Sequence, residues 1–182
     1  VRGPHGSVTT TEYDEMGAYT AMEDGSGSRA DLAYNPSGRL SSVTFSGGNT
    51  LTYEYDAEGR RIKTTAVDGT RVERGYDSVG RVIRETLADG GVLLRTYDAA
   101  GRVASRTNPL GHTTTYEYDA AGRPVKAIGP TGGQIVNEFD GNGYVTATTD
   151  PVGVRTEFDR DAKGRPTAFR FAGGAETAVS YD

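Results

Sequence analysis

Short segments in which apolar and polar side chains alternate recur along the whole chain. Clear examples are LTYEY at 51–55, RVIRETL at 81–87 and TTTYEY at 113–118. In the first of these, Tyr53 and Tyr55 fall on one face of an extended strand, because side chains alternate with a period of two. Segments of six or seven residues rich in Thr, Val, Ile and Tyr are typical of β-strands and too short for helices. The pattern predicts an all-β chain.

Glycine separates these segments at two fixed positions. One glycine ends an Asp-x-x-Gly tetrapeptide, and the other follows ten residues later, as in NPLG at 108–111, GPTG at 129–132 and DPVG at 150–153. Asp-x-x-Gly favours a type I turn, in which the aspartate bonds to the backbone ahead and the glycine takes the left-handed conformation that closes a bulged hairpin. Proline at the second position suits the same turn. Each pair of strands is therefore predicted to form a β-hairpin.

The hairpin signal repeats every 21 residues without insertion or deletion. We predict a single array over 1–182, with a partial repeat at 1–12, eight repeats at 13–180 and the start of another at 181–182. One hairpin cannot stand alone, but stacked copies extend one sheet, and a sheet of many strands must curl. The predicted fold is therefore tandem 21-residue β-hairpin repeats stacked into a curved, antiparallel β-strip, which we interpret as a fragment of a larger protein.

The six-residue motif Tyr-Asp-x-x-Gly-Arg predicts contacts across each turn. In a bulged hairpin the aspartate lies opposite the residue after glycine, which gives pairs such as Asp56 with Arg60, and the motif tyrosine faces an aliphatic residue, as Tyr76 faces Val82. We expect structural roles at the repeated motif positions: Tyr34; Tyr55, Asp56, Gly59, Arg60; Tyr76, Asp77, Gly80, Arg81; Tyr97, Asp98, Gly101, Arg102; Tyr118, Asp119, Gly122, Arg123; and the second-turn glycines Gly111, Gly132, Gly153.

Three positions depart from the motif. Ala18 and Tyr144 stand where the arginine is expected, in repeats one and seven, and Arg160 stands where the tyrosine of repeat eight is expected. From the sequence alone these are three separate exceptions.

Composition excludes several classes of function. The net charge is −5 with no block of Lys or Arg, which argues against nucleic-acid binding. The absence of Cys excludes disulfide and thiolate-metal scaffolds, and no apolar run reaches membrane-span length. His5 and His112 are the two histidines, and His112 follows a turn, where a solvent-facing side chain is expected. We predict no catalytic residues, no metal and no cofactor.

Two alternatives concern the periodic side chains. The turn aspartates suggest calcium ligands, but each turn offers one carboxylate with an arginine beside it, which favours turn caps. The tyrosine-rich face suggests a carbohydrate-stacking surface, because tyrosine combines a flat apolar ring with a polar tip. Its strict phase is also what sheet packing demands, so packing is the preferred interpretation.

The segment YDAAGRVASRTNPLGHTTTYEYDAAGR at 97–123 resembles the YD repeat, also called the Rhs repeat, and the resemblance extends over the whole chain. That family includes bacterial Rhs toxins, wall-associated proteins, the B and C components of insecticidal Tc toxin complexes, and teneurins. The resemblance implies a β-strip that spirals into a hollow shell, a secreted or cell-surface bacterial protein, and an enclosed C-terminal toxin domain as partner beside further repeats of the same chain.

Two functions follow as hypotheses. The first is a structural wall segment of an Rhs/YD shell that encapsulates and helps to deliver a polypeptide toxin. The alternative is an extracellular or cell-surface binding, adhesive or filament-forming module, which recognises a glycan or a protein or associates edge to edge with copies of itself. No residue pattern supports an enzyme.

Overall fold

The structure is a computed structural model that describes residues 9–181, which form strands and turns throughout. The prediction of an all-β chain is confirmed. The predicted partial-repeat residues His5, Gly6 and Asp182 lie outside the described residues. The chain divides into two units, residues 1–92 and 93–182, and each is an antiparallel meander.

Eight strands form the first unit, and each pairs with the next along the chain. They are β1 Thr10–Tyr13, β2 Tyr19–Glu23, β3 Arg29–Tyr34, β4 Leu40–Phe45, β5 Thr50–Tyr55, β6 Arg61–Thr65, β7 Arg71–Tyr76 and β8 Val82–Thr86.

Nine strands follow and pair in the same way. They are β9 Val92–Tyr97, β10 Val103–Thr107, β11 Thr113–Tyr118, β12 Pro124–Ile128, β13 Gln134–Phe139, β14 Val145–Thr149, β15 Arg155–Arg160, β16 Pro166–Phe171 and β17 Glu176–Ala178. Two strands per 21 residues is the number that the turn spacing predicts.

The turn glycines have the predicted conformation. Gly101 lies at φ 83° and Gly111 at φ 80°, and every other glycine at these two phases within 9–181 is also at positive φ. In the turn that begins at Asp98, the N–H of Gly101 donates to the Asp98 carbonyl at 2.9 Å, and the N–H of Asp98 donates to the Arg102 carbonyl at 2.9 Å. Glycine is required because a β-carbon is penalised in this region of φ.

Hairpins closed by the turn that directly follows the motif aromatic contain an additional bulge beside that aromatic. Tyr118 pairs with Pro124 but Glu117 pairs with Lys126, so Val125 is an extra residue on its strand. The same register shift occurs in all eight hairpins of this kind. The intervening hairpins pair without such a shift.

Successive repeats are displaced along the strands. Glu12 lies opposite Ala21, and Ala21 lies opposite Asp31, so Glu12 is level with a residue 19 positions later. The residue equivalent to Glu12 in the next repeat is Ala33, two positions beyond Asp31. Each repeat is therefore offset by two residues, or roughly 7 Å at the rise of a β-strand, and side chains 17 positions apart become diagonal neighbours.

Burial in both units is shallow. Ala21, Ala147 and Ala168, with exposures of 1%, 1% and 6%, are the buried residues among those described. Most strand side chains are partly covered by their neighbours on adjacent strands. Packing is thus between neighbours in one layer, and the three buried residues are small.

Candidate functional site: the arginine seam and the carboxylate clamps

The motif aspartates accept hydrogen bonds within their own turns, and Asp98 accepts three. The Oδ1 atom of Asp98 accepts the N–H groups of Ala100 and Arg102, both at 2.9 Å, and its Oδ2 atom accepts Nε of Arg102 at 2.7 Å. The pKa of Asp98 is lowered, first by the backbone N–H of Arg102, against partial desolvation, and then by the Arg102 guanidinium. The predicted pairing across the turn is confirmed, since Nε–Oδ2 distances of 2.6–2.7 Å recur in Asp56–Arg60, Asp77–Arg81, Asp119–Arg123 and Asp161–Arg165.

The same arginine also reaches the turn of the following repeat. Nη1 of Arg102 donates to the backbone carbonyl of Asp119 at 3.1 Å, and its guanidinium carbon lies 4.6 Å from the centre of the Tyr118 ring. A planar cation over an aromatic face is attracted to the ring. The sequence predicts the arginine only as a partner of the aspartate in its own turn, so this second contact was not predicted.

This arrangement recurs and forms what we call the arginine seam. Its members in the first unit are Arg60 with Tyr76 and Asp77, with distances of 4.9 Å to the ring and 3.0 Å to the carbonyl. In the second unit they are Arg102 with Tyr118 and Asp119, and Arg123 with Phe139 and Asp140 at 4.9 and 2.7 Å. Arg165 lies 4.3 Å from the Tyr181 ring in the same position.

Hydroxyl groups of the motif tyrosines add a second link between successive repeats. The Tyr118 hydroxyl donates to the carbonyl of Val103, 15 residues earlier, at 2.9 Å, and Tyr55 and Tyr76 reach the carbonyls of Leu40 and Arg61 at 2.8 Å. This explains the preference for tyrosine over phenylalanine. Where Phe139 replaces tyrosine, the corresponding carbonyl, of Pro124, accepts Nδ2 of Asn137 at 3.3 Å.

Tyr144 and Arg160, which look like separate exceptions in the sequence, form one exchanged pair. Arg160 lies over the Tyr144 ring at 5.2 Å, and the two are 16 residues apart, as Arg102 and Tyr118 are. Nη2 of Arg160 donates at 3.3 Å to the carbonyl of Val145, again 15 residues earlier, and Nη1 donates to Gly164 at 3.1 Å. The stack is kept with its two partners exchanged, whereas Nε of Arg160 is buried without a hydrogen-bond partner.

Arginines elsewhere on the sheet form what we call the carboxylate clamps. In the first clamp, the Arg29 guanidinium binds Glu12 through two hydrogen bonds at 2.6 and 3.0 Å and binds Asp31 at 2.8 Å. These two carboxylates flank Ala21. In the second clamp, Arg155 binds Glu138 and Glu157, which flank Ala147. Small residues are needed here because the arginine crosses above them.

Both clamps occur in the two repeats that lack a seam arginine. Repeat one has Ala18 at the seam position and Arg29 eleven residues later, and repeat seven has Tyr144 and Arg155 at the same spacing. Among the six repeats that keep the seam arginine, only repeat three has arginine at the clamp position, Arg71. There Lys63 replaces the small residue and pairs directly with Glu54 at 2.8 Å. This correlation is visible in the sequence, but it does not by itself place Arg29 beside Glu12.

The seam and the clamps consist of ion pairs, hydrogen bonds and cation–ring contacts. Residues 9–181 contain no group of three or more His, Cys, Asp or Glu side chains arranged to hold a metal. His112 is exposed, as predicted, and its backbone N–H donates to Asn108. Over the same residues, no helix has the length and apolar character needed to span a bilayer.

The structure places the sequence-predicted positions at corresponding points of each hairpin. Each motif tyrosine is the last residue of its strand, namely Tyr34, Tyr55, Tyr76, Tyr97 and Tyr118. The aspartates begin the turns, the glycines Gly59, Gly80, Gly101, Gly122, Gly111, Gly132 and Gly153 lie at positive φ, and the arginines follow the motif glycines. The structure brings Tyr, Asp and Arg together across repeat boundaries but places the second-turn glycines at the opposite ends of the strands.

The fold is similar to that of several solved toxin structures. The crystal structure of TcdB2-TccC3-TEV superposes with a TM-score of 0.75 at 15% identity, over 96% of this chain and 11% of that one. TcdB2-TccC3 without its hypervariable C-terminal region gives 0.66 at 19% identity, over 90% and 10%. The Photorhabdus luminescens Tc holotoxin pore gives 0.62 at 16% identity, over 89% and 12%. This chain therefore spans about a tenth of the chains that it matches.

Sequence comparison identifies the repeat itself. None of the curated proteins matches the chain. The family described as RHS Repeat matches at residues 34–71, 76–113 and 97–134, which together cover more than half of the sequence. These segments include the seam residues Arg60, Tyr76, Arg102 and Tyr118. The chain belongs to the RHS repeat family.

Proposed function

We propose that this chain is a wall segment of an Rhs/YD-repeat shell that encloses a polypeptide toxin and helps to deliver it from a bacterium. The observation that carries the proposal is the arginine seam, because Arg60, Arg102 and Arg123 each tie their repeat to the next one along the array. Such a device serves a continuous wall of many repeats. It has no evident use in a catalytic site.

Similarity to the toxin structures supports this proposal at the level of fold. TcdB2-TccC3 and the Tc holotoxin pore contain long chains of which this sequence matches about a tenth. A wall segment is expected to repeat its own contacts, and the seam contacts of Arg60, Arg102 and Arg123 recur in this way, which supports the proposal. The partners of the segment would then be further repeats of the same chain and an enclosed polypeptide.

Limited proteolysis of the full-length protein tests encapsulation. We expect the segment downstream of the repeats to resist protease while the shell is intact and to be digested once mild denaturant opens the shell. The matched control is the same downstream segment expressed alone, which should be digested at once.

Digestion of the downstream segment at the same rate with and without an intact shell would refute encapsulation. The array would then be an exposed binding or adhesive module, the alternative hypothesis. Binding of the intact array to a glycan panel would support that alternative directly.

A further inference from the structure

The two kinds of inter-repeat tie differ in the chemistry of their acceptors. In the seam, Arg102 binds one carboxylate, one backbone carbonyl and one aromatic ring. In a clamp, the guanidinium hydrogen-bonds only to carboxylates, Glu12 and Asp31 for Arg29 and Glu138 and Glu157 for Arg155. A carbonyl and a ring keep their character at every pH, whereas a carboxylate loses its charge in acid.

Clamp carboxylates are also the more exposed. The side chains of Glu12 and Glu138 are 51% and 52% exposed, against 18% for Asp56 and 26% for Asp98 in the seam. Each seam aspartate accepts backbone N–H groups as well as the arginine. Protonation of a seam aspartate also weakens its ion pair, because the pKa of Asp98 is lowered as well, but the arginine then keeps its carbonyl and ring acceptors.

Few other charged groups face the clamps. Around Arg29, the opposite residue on β2 is Glu23, a further carboxylate. Around the second clamp, Lys126 on β12 lies opposite Val136, two residues from Glu138, and pairs with Glu117. Arg170 on β16 lies opposite Glu157 and pairs with Asp159 and Glu176. No carbonyl or aromatic acceptor of Arg29 or Arg155 occurs among the described residues that would replace a protonated clamp carboxylate.

We propose that repeats one and seven are acid-sensitive junctions, which loosen when the clamp carboxylates are protonated while the seam junctions of repeats three, five and six stay closed. The chain therefore has one built-in opening position in each unit. The inference does not depend on whether a cargo is enclosed, because it concerns the array itself.

The direction of the pH dependence follows from the carboxylate pKa values. Hydrogen bonds from Arg29 and Arg155 hold the pKa of Glu12 and of Glu138 below the ordinary value of 4.5. A group whose folded pKa is depressed stabilises the fold above its unfolded pKa, and that contribution is lost as the pH falls through the folded pKa. The clamps are thus intact at neutral pH and open in acid below the ordinary glutamate range.

Neutral variants that imitate protonation test the proposal without acid. In the full chain at pH 7, Glu138→Gln should speed hydrogen exchange at the amides of β14, the strand that Arg155 crosses. The expected factor is on the order of three to five, the upper range for an exposed ion pair. Glu138→Gln combined with Glu157→Gln should increase it further.

Asp98→Asn is the matched seam control. Asparagine keeps the turn cap, as Asn35 does by accepting the N–H groups of Ser37 and Arg39 at 3.0 Å, so exchange at β10 and β11 should change by less than about twofold. A second measurement uses the unaltered chain at about pH 3.5, corrected for intrinsic exchange rates, where β2 and β14 should open before β6 and β11. Equal acceleration in clamp and seam variants, or uniform opening in acid, would overturn the proposal.

Discussion

The junction formed by Arg102 and Tyr118 and the junction formed by Tyr144 and Arg160 occupy equivalent places in the second unit. In both, a guanidinium lies over a tyrosine ring, at 4.6 and 5.2 Å, and in both the later residue donates to a carbonyl 15 positions earlier. They differ in which repeat supplies the cation. The exchange removes the contact of an arginine with the aspartate of its own turn, because Tyr144 cannot make it.

Both junctions keep the cation–ring stack and the hydrogen bond to the carbonyl 15 residues earlier. The Tyr144–Arg160 junction lacks the ion pair between an arginine and the aspartate of the same turn. The repeat therefore depends more strictly on having one arginine and one aromatic residue 16 positions apart than on having arginine at the position after the motif glycine. In repeat seven, an ion pair between neighbouring repeats is instead provided by Arg155, which binds Glu138.

The largest effect should come from a deletion that is not a whole repeat, because it changes the register and direction of all the strands that follow. Deleting residues 119–139 joins Tyr118 to Asp140, so Arg102 keeps a ring and a carbonyl in register, and the second unit should remain folded with two fewer strands. Deleting residues 119–128 removes one strand and reverses the direction of those that follow, so the β signal of the unit should be lost. Circular dichroism with thermal unfolding distinguishes the outcomes, and equal losses in the two deletions would contradict the 21-residue repeat.

The next largest loss of stability should come from replacing the glycine that lies beneath each arginine–tyrosine stack. Gly122, beneath Arg102, and Gly164, beneath Tyr144, lie at φ 82° and 78°, so alanine at either should cost about 1 kcal/mol or more from the backbone alone. A β-carbon on Gly164 would also overlap the end of the Tyr144 ring, which adds roughly 1–3 kcal/mol. Unfolding in urea should rank Gly164→Ala below Gly122→Ala, with Ala121→Gly as a mild control. The reverse order would mean that Tyr144 does not cover this turn.

Exchanging Tyr144 and Arg160 tests whether the two side chains act as one unit. Tyr144→Arg alone places two guanidinium groups in one stack and should destabilise the unit, whereas Tyr144→Arg combined with Arg160→Tyr recreates the Arg102–Tyr118 arrangement. We expect a favourable coupling of about 1 kcal/mol between the two sites in a double-mutant cycle. Additive effects of the single variants would show that the pair is not a unit.

The smallest effect should come from the hydroxyl group. Tyr118→Phe removes the hydrogen bond to Val103 and should cost about 1 kcal/mol. Phe139→Tyr is the matched control, and it should gain little because the corresponding carbonyl, of Pro124, already accepts Asn137. Unfolding midpoints measure both, and a clear gain from Phe139→Tyr would show that the asparagine is a poor substitute.

Local features of the fold were predictable from the sequence because short-range chemistry determines them. The positive φ of Gly101, the pairing of Asp56 with Arg60 and that of Tyr76 with Val82 all concern residues at most six positions apart.

Contacts between repeats were not predictable in the same way, because they depend on the two-residue offset between repeats, of which the extra bulge supplies one residue. The seam and the Tyr118 hydroxyl bond join residues 15 to 17 positions apart. Tyr144 and Arg160 are visible in the sequence as two exceptions 16 residues apart. Only the structure shows that residues at this spacing stack on each other. The clamps required the same knowledge.

The shallow burial of both units determines how damage spreads. Because Ala21, Ala147 and Ala168, all of them small, are the buried residues among those described, distant strands of residues 9–181 share no large buried side chain. Stability is then a sum of terms from adjacent hairpins, as in a one-dimensional chain of coupled elements. A weakened repeat should lower the free energy of unfolding of its immediate neighbours and leave strands a few repeats away unchanged. The segment that unfolds as one cooperative unit should therefore be shorter than the whole chain.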